Sequence, residues 1–201
     1  LRRRPRDRWV KYAGNWSPTH RDALTYRLQR WWLRRGLARA AVTVNGRWPD
    51  QPPWVHTFDN PTLTADEVAG GRAASRTKPA APPLRVVFAG RLDRHKGADR
   101  VVETVLDLRA REVEVSVDLV GDGPLRPWVE ALAADHGVEV VRLHGWLPRP
   151  ELDEVLAAGH VFLLPTGSEG FPKVVAEAMA SGCVPVTSDV GSLGQTLAET
   201  G

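Results

Sequence analysis

From residue 84 onward, short apolar runs rich in valine alternate with stretches whose apolar residues recur at helical spacing. This is the pattern of repeated βαβ units, whose parallel strands are covered on both faces and therefore read as near-continuous apolar runs. LRVVFAG (84–90), VEVSVDLVG (113–121), VEVVRLHG (138–145), HVFLLPT (160–166) and CVPVTSD (183–189) read as strands. Helices are expected near residues 98–110, 124–136, 150–158 and 172–181. The last three open with or just after a proline, which suits a first helical turn because its missing N–H has no helical partner to lose.

Upstream, HRDALTYRLQRWWLRRGLARA predicts a helix with Leu24, Leu28, Trp31, Trp32 and Leu37 near one face and Arg21, Arg27, Arg30 and Arg34 around the other. A short strand, AVTVNG, follows. One helix and one strand cannot bury a core by themselves, so residues 1–63 read as the end of a domain. TADEVAGGRAASRTKPAAPP (64–83) is rich in Ala, Gly and Pro without apolar periodicity and reads as a linker or surface excursion. Residues 84–201 then form a Rossmann-like α/β domain, a parallel sheet with flanking helices, preceded by a partial second α/β domain.

The chain has 201 residues and 42% hydrophobic content, ample for a buried core. No apolar run approaches the roughly 20 residues that span a bilayer, and the start lacks the apolar centre of a secretion signal. A cytoplasmic setting is expected. A fragment is expected too, because the chain begins with leucine and stops at GQTLAETG inside a helical pattern.

The net charge of +3 hides an asymmetry. Residues 1–40 carry twelve Lys/Arg against two acids, about +10, and leave about −7 for the rest; six of the eight tryptophans (Trp9, Trp16, Trp31, Trp32, Trp48 and Trp54) also fall early. A basic amphipathic helix with interfacial tryptophans is suited to an anionic membrane surface, so peripheral contact through residues 21–39 is one expectation, and packing of its apolar face into domain one the other. No nucleic-acid partner is expected, since no recognised RNA- or DNA-binding motif accompanies the basic residues. Cys183 is the single cysteine and reads as a small buried residue. The histidines, His20, His56, His95, His136, His144 and His160, show no zinc-ligand spacing, and no D-x-D occurs, so no metal site is expected.

In an open parallel sheet, ligands bind at the loops leaving the carboxyl ends of the strands. Those loops hold GRLDRHKG with Arg91 and Lys96, then GDGPLR, GWLP and TGSEGFP. GDGPLR is as well explained by a tight strand-to-helix turn as by ligand contact, and it lacks the G-x-G-x-x-G spacing of dinucleotide sites. Glu169 and Glu177, eight residues apart, lie in the last loop and in the helix after it. The free N–H groups of that helix favour an anion, and Gly167 and Gly170 leave room for a ligand to approach the backbone. Carboxylates are poor phosphate ligands and good acceptors from hydroxyls, so the combination suggests a nucleotide sugar, with Arg91 and Lys96 as cations for its diphosphate.

GRLDRHKG, GDGPLR, GWLPRPEL and EGFPKVVAE, in this order over residues 85–191, closely resemble the retaining glycosyltransferases of family 4, which have the GT-B fold of two Rossmann-like domains facing across a cleft. The resemblance implies a nucleotide-sugar donor and no cofactor. Arg91 and Lys96 would hold the diphosphate, Glu177 the ribose hydroxyls and Glu169 the sugar, assisted by backbone groups around Phe171 and Lys173. Trp146 and Leu147 would border the base, with Gly90, Gly170, Pro172 and Val174 completing the donor set and Glu169, Arg91 and Lys96 nearest the chemistry. The acceptor, lipid-linked or saccharide, would be met by domain one. Its glycine-rich loop and acceptor-site histidine are not visible here, so the chain by itself is expected to be inactive. A nonhydrolysing sugar-nucleotide epimerase shares the fold but needs acids and bases from the other half. A non-catalytic nucleotide- or membrane-binding module is the remaining class.

Overall fold

The computed structural model describes residues 8–17, 22–58, 63–79 and 81–200. They form two compact units. Leu1–Pro61, Ser168–Phe171 and Asp189–Gly201 make up one; Thr62–Gly167 and Pro172–Ser188 make up the other.

In the first unit, strand β1 (Trp9–Tyr12) leads to helix α1 (Leu24–Arg34), then to β2 (Ala41–Val44) and β3 (Val55–Thr57). The three strands are parallel in the order β1-β2-β3, with Val10 beside Val42 and Val42 beside Val55. Their core is Tyr12, Trp16, Leu33, Ala38, Val42, Val44 and Val55. Only β2 was expected; β1, with the sequence WVKY, and β3, three residues long, were not read as strands.

The face that α1 buries differs from expectation. Arg30 and Leu33 are its buried residues, whereas Leu24, Leu28 and Trp31 are 76%, 65% and 50% exposed. Arg30 can face inward because its guanidinium is satisfied: it donates to the Asp22 carboxylate, to the Asn15 carbonyl at 3.1 Å and to the Tyr12 hydroxyl at 3.4 Å. Arg34 lies over the Trp16 ring, 5.1 Å from its centroid. Arg21, expected on the polar face, lies outside the described residues.

The second unit opens on helix α2 (Ala65–Thr77). The stretch 64–83, read from the sequence as a linker or surface excursion, thus holds a helix. The helix has no buried residue and so no apolar period to read; it is started by a capping box, in which the Thr64 hydroxyl accepts from Glu67 N at 3.3 Å and the Glu67 carboxylate accepts from Thr64 N at 2.6 Å.

There follow β4 (Leu84–Ala89), α3 (Ala98–Ala110), β5 (Val115–Val120), α4 (Arg126–His136), β6 (Val141–Gly145), α5 (Arg149–Ala158), β7 (Val161–Leu164), α6 (Lys173–Ala180) and β8 (Val184–Thr187). All five strands are parallel, in the order β6-β5-β4-β7-β8. Val87, Phe88, Val117, Leu119 and Phe162 are fully buried, with Val101, Val102 and Val105 of α3. The last helix, α7 (Leu193–Thr200), belongs to the first unit.

Two polar devices hold the second unit. Asp118, in the middle of β5, is buried and takes the Arg85 guanidinium at 2.9 Å, His144 at 2.7 Å and Arg142 at 3.3 Å. Burial would raise its pKa, but the His144 and Arg85 hydrogen bonds and the two guanidinium charges outweigh burial and hold it below the usual range. Lys78, just past α2, donates to the Gly159 carbonyl and to the Ser181 carbonyl at 2.8 Å, where α5 and α6 end. A cation there satisfies carbonyls that the helices cannot use and complements their negative dipole ends.

Candidate donor-binding site

The strand order reverses between β4 and β7, the position at which open parallel sheets form a ligand crevice beyond their carboxyl ends. The loops leaving these two strands are residues 90–97 and 165–172, which hold most of the expected site. Asp93 organises the first. Its carboxylate accepts from Lys96 N at 2.8 Å and pairs with Arg91 at 3.2 Å, and its carbonyl accepts from Gly97 N at 3.1 Å. Arg91 projects from this loop, exposed, with Lys96 half-buried beside it. Gly97 then enters α3 in the left-handed region (φ 79°), where a Cβ would stand 2.4 Å from the Pro165 carbonyl oxygen. Gly167 N donates to the His95 carbonyl at 2.8 Å, so the two loops lie in direct contact. Gly90, at the strand end, donates to the Val120 carbonyl at 3.0 Å and ties the first loop to the GDG turn, whose Asp122 carbonyl accepts from Leu92 N.

Pro172 is the N-cap of α6, and its side chain makes no capping hydrogen bond. The N–H groups of the first turn, around Lys173 and Val174, form the positive end of the helix dipole.

Glu169, Gly170 and Phe171 belong to the first unit, and each is half-buried. The reason for a glycine at 170 is not the expected one. A Cβ there would lie 2.0 Å from the Ala13 carbonyl oxygen, so main chain fills the space assigned to a ligand. The Gly170 carbonyl accepts from the Ser192 hydroxyl at 2.8 Å, at the start of α7.

Trp146 and Leu147 leave β6, and Trp146 is 76% exposed. Three residues on, Arg149 opens α5 and donates to the Glu177 carboxylate at 2.7 Å. This contact brings the β6–α5 loop beside α6 and joins the expected base-side and ribose-side residues. Glu177 is buried, and burial pushes its carboxyl above the usual range, partly offset by the Arg149 and Lys173 charges. Sequence reasoning missed Arg149 and Asp93. A cation in the first turn of a helix opposes the dipole, and that anomaly was the available signal for Arg149.

Parallel strands with a strand-order reversal define an α/β protein of the class in which ligand crevices lie beyond the carboxyl ends of the strands. Residues 83–201 match the family model of group 1 glycosyl transferases, and the chain belongs to that family. It is 30% identical over 121 residues to a glycogen synthase of Mycobacterium tuberculosis, covering 60% of this chain and 29% of the relative. It is 34% identical over 157 residues to a D-inositol 3-phosphate glycosyltransferase of Streptomyces scabiei, covering 72% and 35%. The chain thus spans about a third of the length of these relatives. Among solved structures, the pneumococcal O-GlcNAc transferase in complex with UDP and GlcNAc superposes with a TM-score of 0.65 at 20% identity, over 92% of this chain and 38% of that one. A glycosyltransferase of lipopolysaccharide biosynthesis gives 0.53 at 20% identity, over 89% and 55%. Both likenesses show the fold, the α/β architecture of GT-B glycosyltransferases.

Proposed function

We propose that this chain carries the donor side of a retaining, metal-independent glycosyltransferase of family 4, which takes a nucleoside diphosphate sugar and passes the sugar to a lipid-linked or saccharide acceptor. The observation that carries the reading is the contact of the Arg91/Lys96 loop, through the His95 carbonyl, with Gly167 in the loop that leaves β7, at the strand-order reversal. As the bond from the anomeric carbon to the diphosphate breaks, positive charge develops on the sugar and negative charge on the departing phosphate. Arg91, Lys96 and the α6 N-terminus are fixed cationic and dipolar groups that stabilise this charge without reorganising, the task a metal performs elsewhere. Glu177 accepts from the ribose hydroxyls, Glu169 orients the sugar, and Trp146 and Leu147 border the base. The acceptor attacks from the leaving-group face, which retains the anomeric configuration. By this reading residues 1–63 end the acceptor-side domain, and the protein is cytoplasmic.

Substitution separates the two carboxylates. Glu177→Ala removes charge-assisted hydrogen bonds of roughly 1.5 to 3 kcal/mol and is expected to weaken nucleoside diphosphate binding by about one to two orders of magnitude. Glu169→Gln is expected to leave that binding nearly unchanged. Calorimetry with the free nucleotide decides: equal losses, or no loss from either, would overturn the division of roles.

A second reading concerns α1. Its exposed Leu24, Leu28 and Trp31, with Arg27, Arg35 and Arg39 exposed nearby, support peripheral docking of residues 21–39 on an anionic membrane, where a lipid-linked acceptor would reside.

A further inference from the structure

Glu177 is not a carboxylate reaching into open solvent. It is buried on α6, and the Arg149 Nη1 nitrogen holds its Oε1 oxygen at 2.7 Å. That guanidinium is itself held on two further sides. Its Nε donates to Asp153 Oδ1 at 2.7 Å within α5, and its Nη2 lies 3.6 Å from Glu67 Oε1 of α2. Glu67 is fixed in turn, since its other oxygen accepts from Thr64 N at 2.6 Å and the Thr64 hydroxyl at 2.8 Å in the capping box. Three helices thus converge on one guanidinium at the start of α5, where the helix dipole by itself disfavours a cation. A cavity of about 270 Å³ opens beside it between α2, α5 and α6, lined by Gly70, Gly71, Ala74 and Ala157 among others, so packing alone does not confine the Arg149 side chain. Its ion pairs do.

We propose that Arg149 is the positioning residue for Glu177: its planar fork fixes one carboxylate oxygen so that the other is presented to the donor's ribose, with Asp153 and Glu67 fixing the fork. The inference rests on the reading of Glu177 as the ribose acceptor. Two properties of arginine suit the role. It cannot lose its charge in the physiological range, and its donors diverge at fixed angles, so one side chain can bind Asp153 and Glu177 at once. Lysine keeps the charge without the fork. Methionine keeps most of the length without either.

The groups that act on Glu177 are Arg149 and Asp153 of α5 and Lys173 of α6, with Glu67 of α2 acting through Arg149. Removing the Arg149 charge takes away the strongest influence that favours the ionised carboxyl. Nucleotide binding by Arg149→Met is then lost at a higher pH on acidification than in the native chain.

The test is a double-mutant cycle on the 201-residue chain, with uridine, adenosine and guanosine diphosphates as probes and calorimetry as the readout. Arg149→Met is expected to weaken the tightest-binding nucleotide about tenfold, or about 1.4 kcal/mol. Arg149→Lys is expected to fall between it and the native chain and to keep the native pH profile. In an Glu177→Gln background, Arg149→Met is expected to add nothing, because Arg149 acts only through that carboxylate. If Glu177→Gln weakens binding and Arg149→Met does not, or if the two losses multiply, the positioning role is overturned while the ribose reading stands. If Glu177→Gln leaves binding unchanged, the ribose reading falls and takes this inference with it.

Discussion

At the scale of single residues, the burial of Glu177 carries a cost in stability. Its folded-state pKa is raised by burial, so the folded chain takes up its proton at a higher pH than the unfolded chain does. The stability this proton contributes is present below the unfolded value of about 4.3 and is lost as pH rises through the raised folded value. At neutral pH the ionised group therefore destabilises the unliganded fold. Glu177→Gln is expected to unfold at a slightly higher temperature than the native chain at pH 7, because Asp153 and Glu67 still partner Arg149. That advantage should shrink as pH falls towards 4.3. Melting curves of both chains across this range check it, and a constant or growing advantage would contradict the raised pKa. Asp118 titrates in the opposite sense, its paired carboxylate stabilising the fold above its unfolded value, which is why the difference between two chains is the quantity to follow.

At the scale of elements, α2 shows why a sequence can hide a helix. It buries no residue. It is held instead by a capping box, by Lys78 on the ends of two other helices, and by the approach of Gly71 to the Ala180 carbonyl of α6, where a Cβ would lie 1.8 Å from the oxygen. None of these leaves a 3.6-residue period. The neighbouring glycine is different, since nothing lies within 4 Å of a Cβ at Gly70. Gly70→Ala is expected to stabilise the chain by roughly 0.5 to 1 kcal/mol through backbone entropy. Gly71→Ala gains the same term but must separate two helices, an overlap of about 1 to 3 kcal/mol or more, and is expected to destabilise. Denaturant unfolding of the two variants should show opposite signs; equal signs would mean that α2 does not pack as described. The strands of the second unit were legible for the converse reason, as apolar runs bounded by turn residues, with β4 and β5 buried along most of their length. Arg91, Lys96 and Glu169 in loops and Glu177 on α6 are singled out by their motifs alone. The role of Arg149 is not legible in this way, because it depends on a partner fixed by folding, Glu177, 28 residues away; Asp93 instead organises its own loop through both its carboxylate and its carbonyl. The inward turn of Arg30 was hidden in the same way, since its partners Tyr12 and Asn15 lie 18 and 15 residues earlier.

At the scale of the whole molecule, charge is distributed unevenly, with about +10 in residues 1–40 and about −7 in the remainder. Among the described residues no helix is long and apolar enough to cross a membrane, so any docking by α1 is a surface event. Each cation near an anionic surface contributes ~1 kcal/mol, and this term is screened over a Debye length of about 10 Å at 0.1 M salt. The intact chain is expected to co-sediment with phosphatidylcholine vesicles containing phosphatidylserine, to be released by salt, and to ignore phosphatidylcholine alone. Equal binding to both vesicles would remove the electrostatic basis of the membrane reading.

The covalent path through the two units carries a consequence for inheritance and dissection. The main chain passes from one unit to the other after Pro61, Gly167, Phe171 and Ser188. Cutting any one of these junctions leaves the units linked through the others, so a single nick by a protease releases neither. A gene fusion or recombination event with one breakpoint likewise cannot transplant the first unit whole, for it would leave Ser168–Phe171 or α7 behind with the wrong companion. Variation in this chain is therefore expected to accumulate residue by residue within each unit, and exchange between lineages to succeed where it carries both units together.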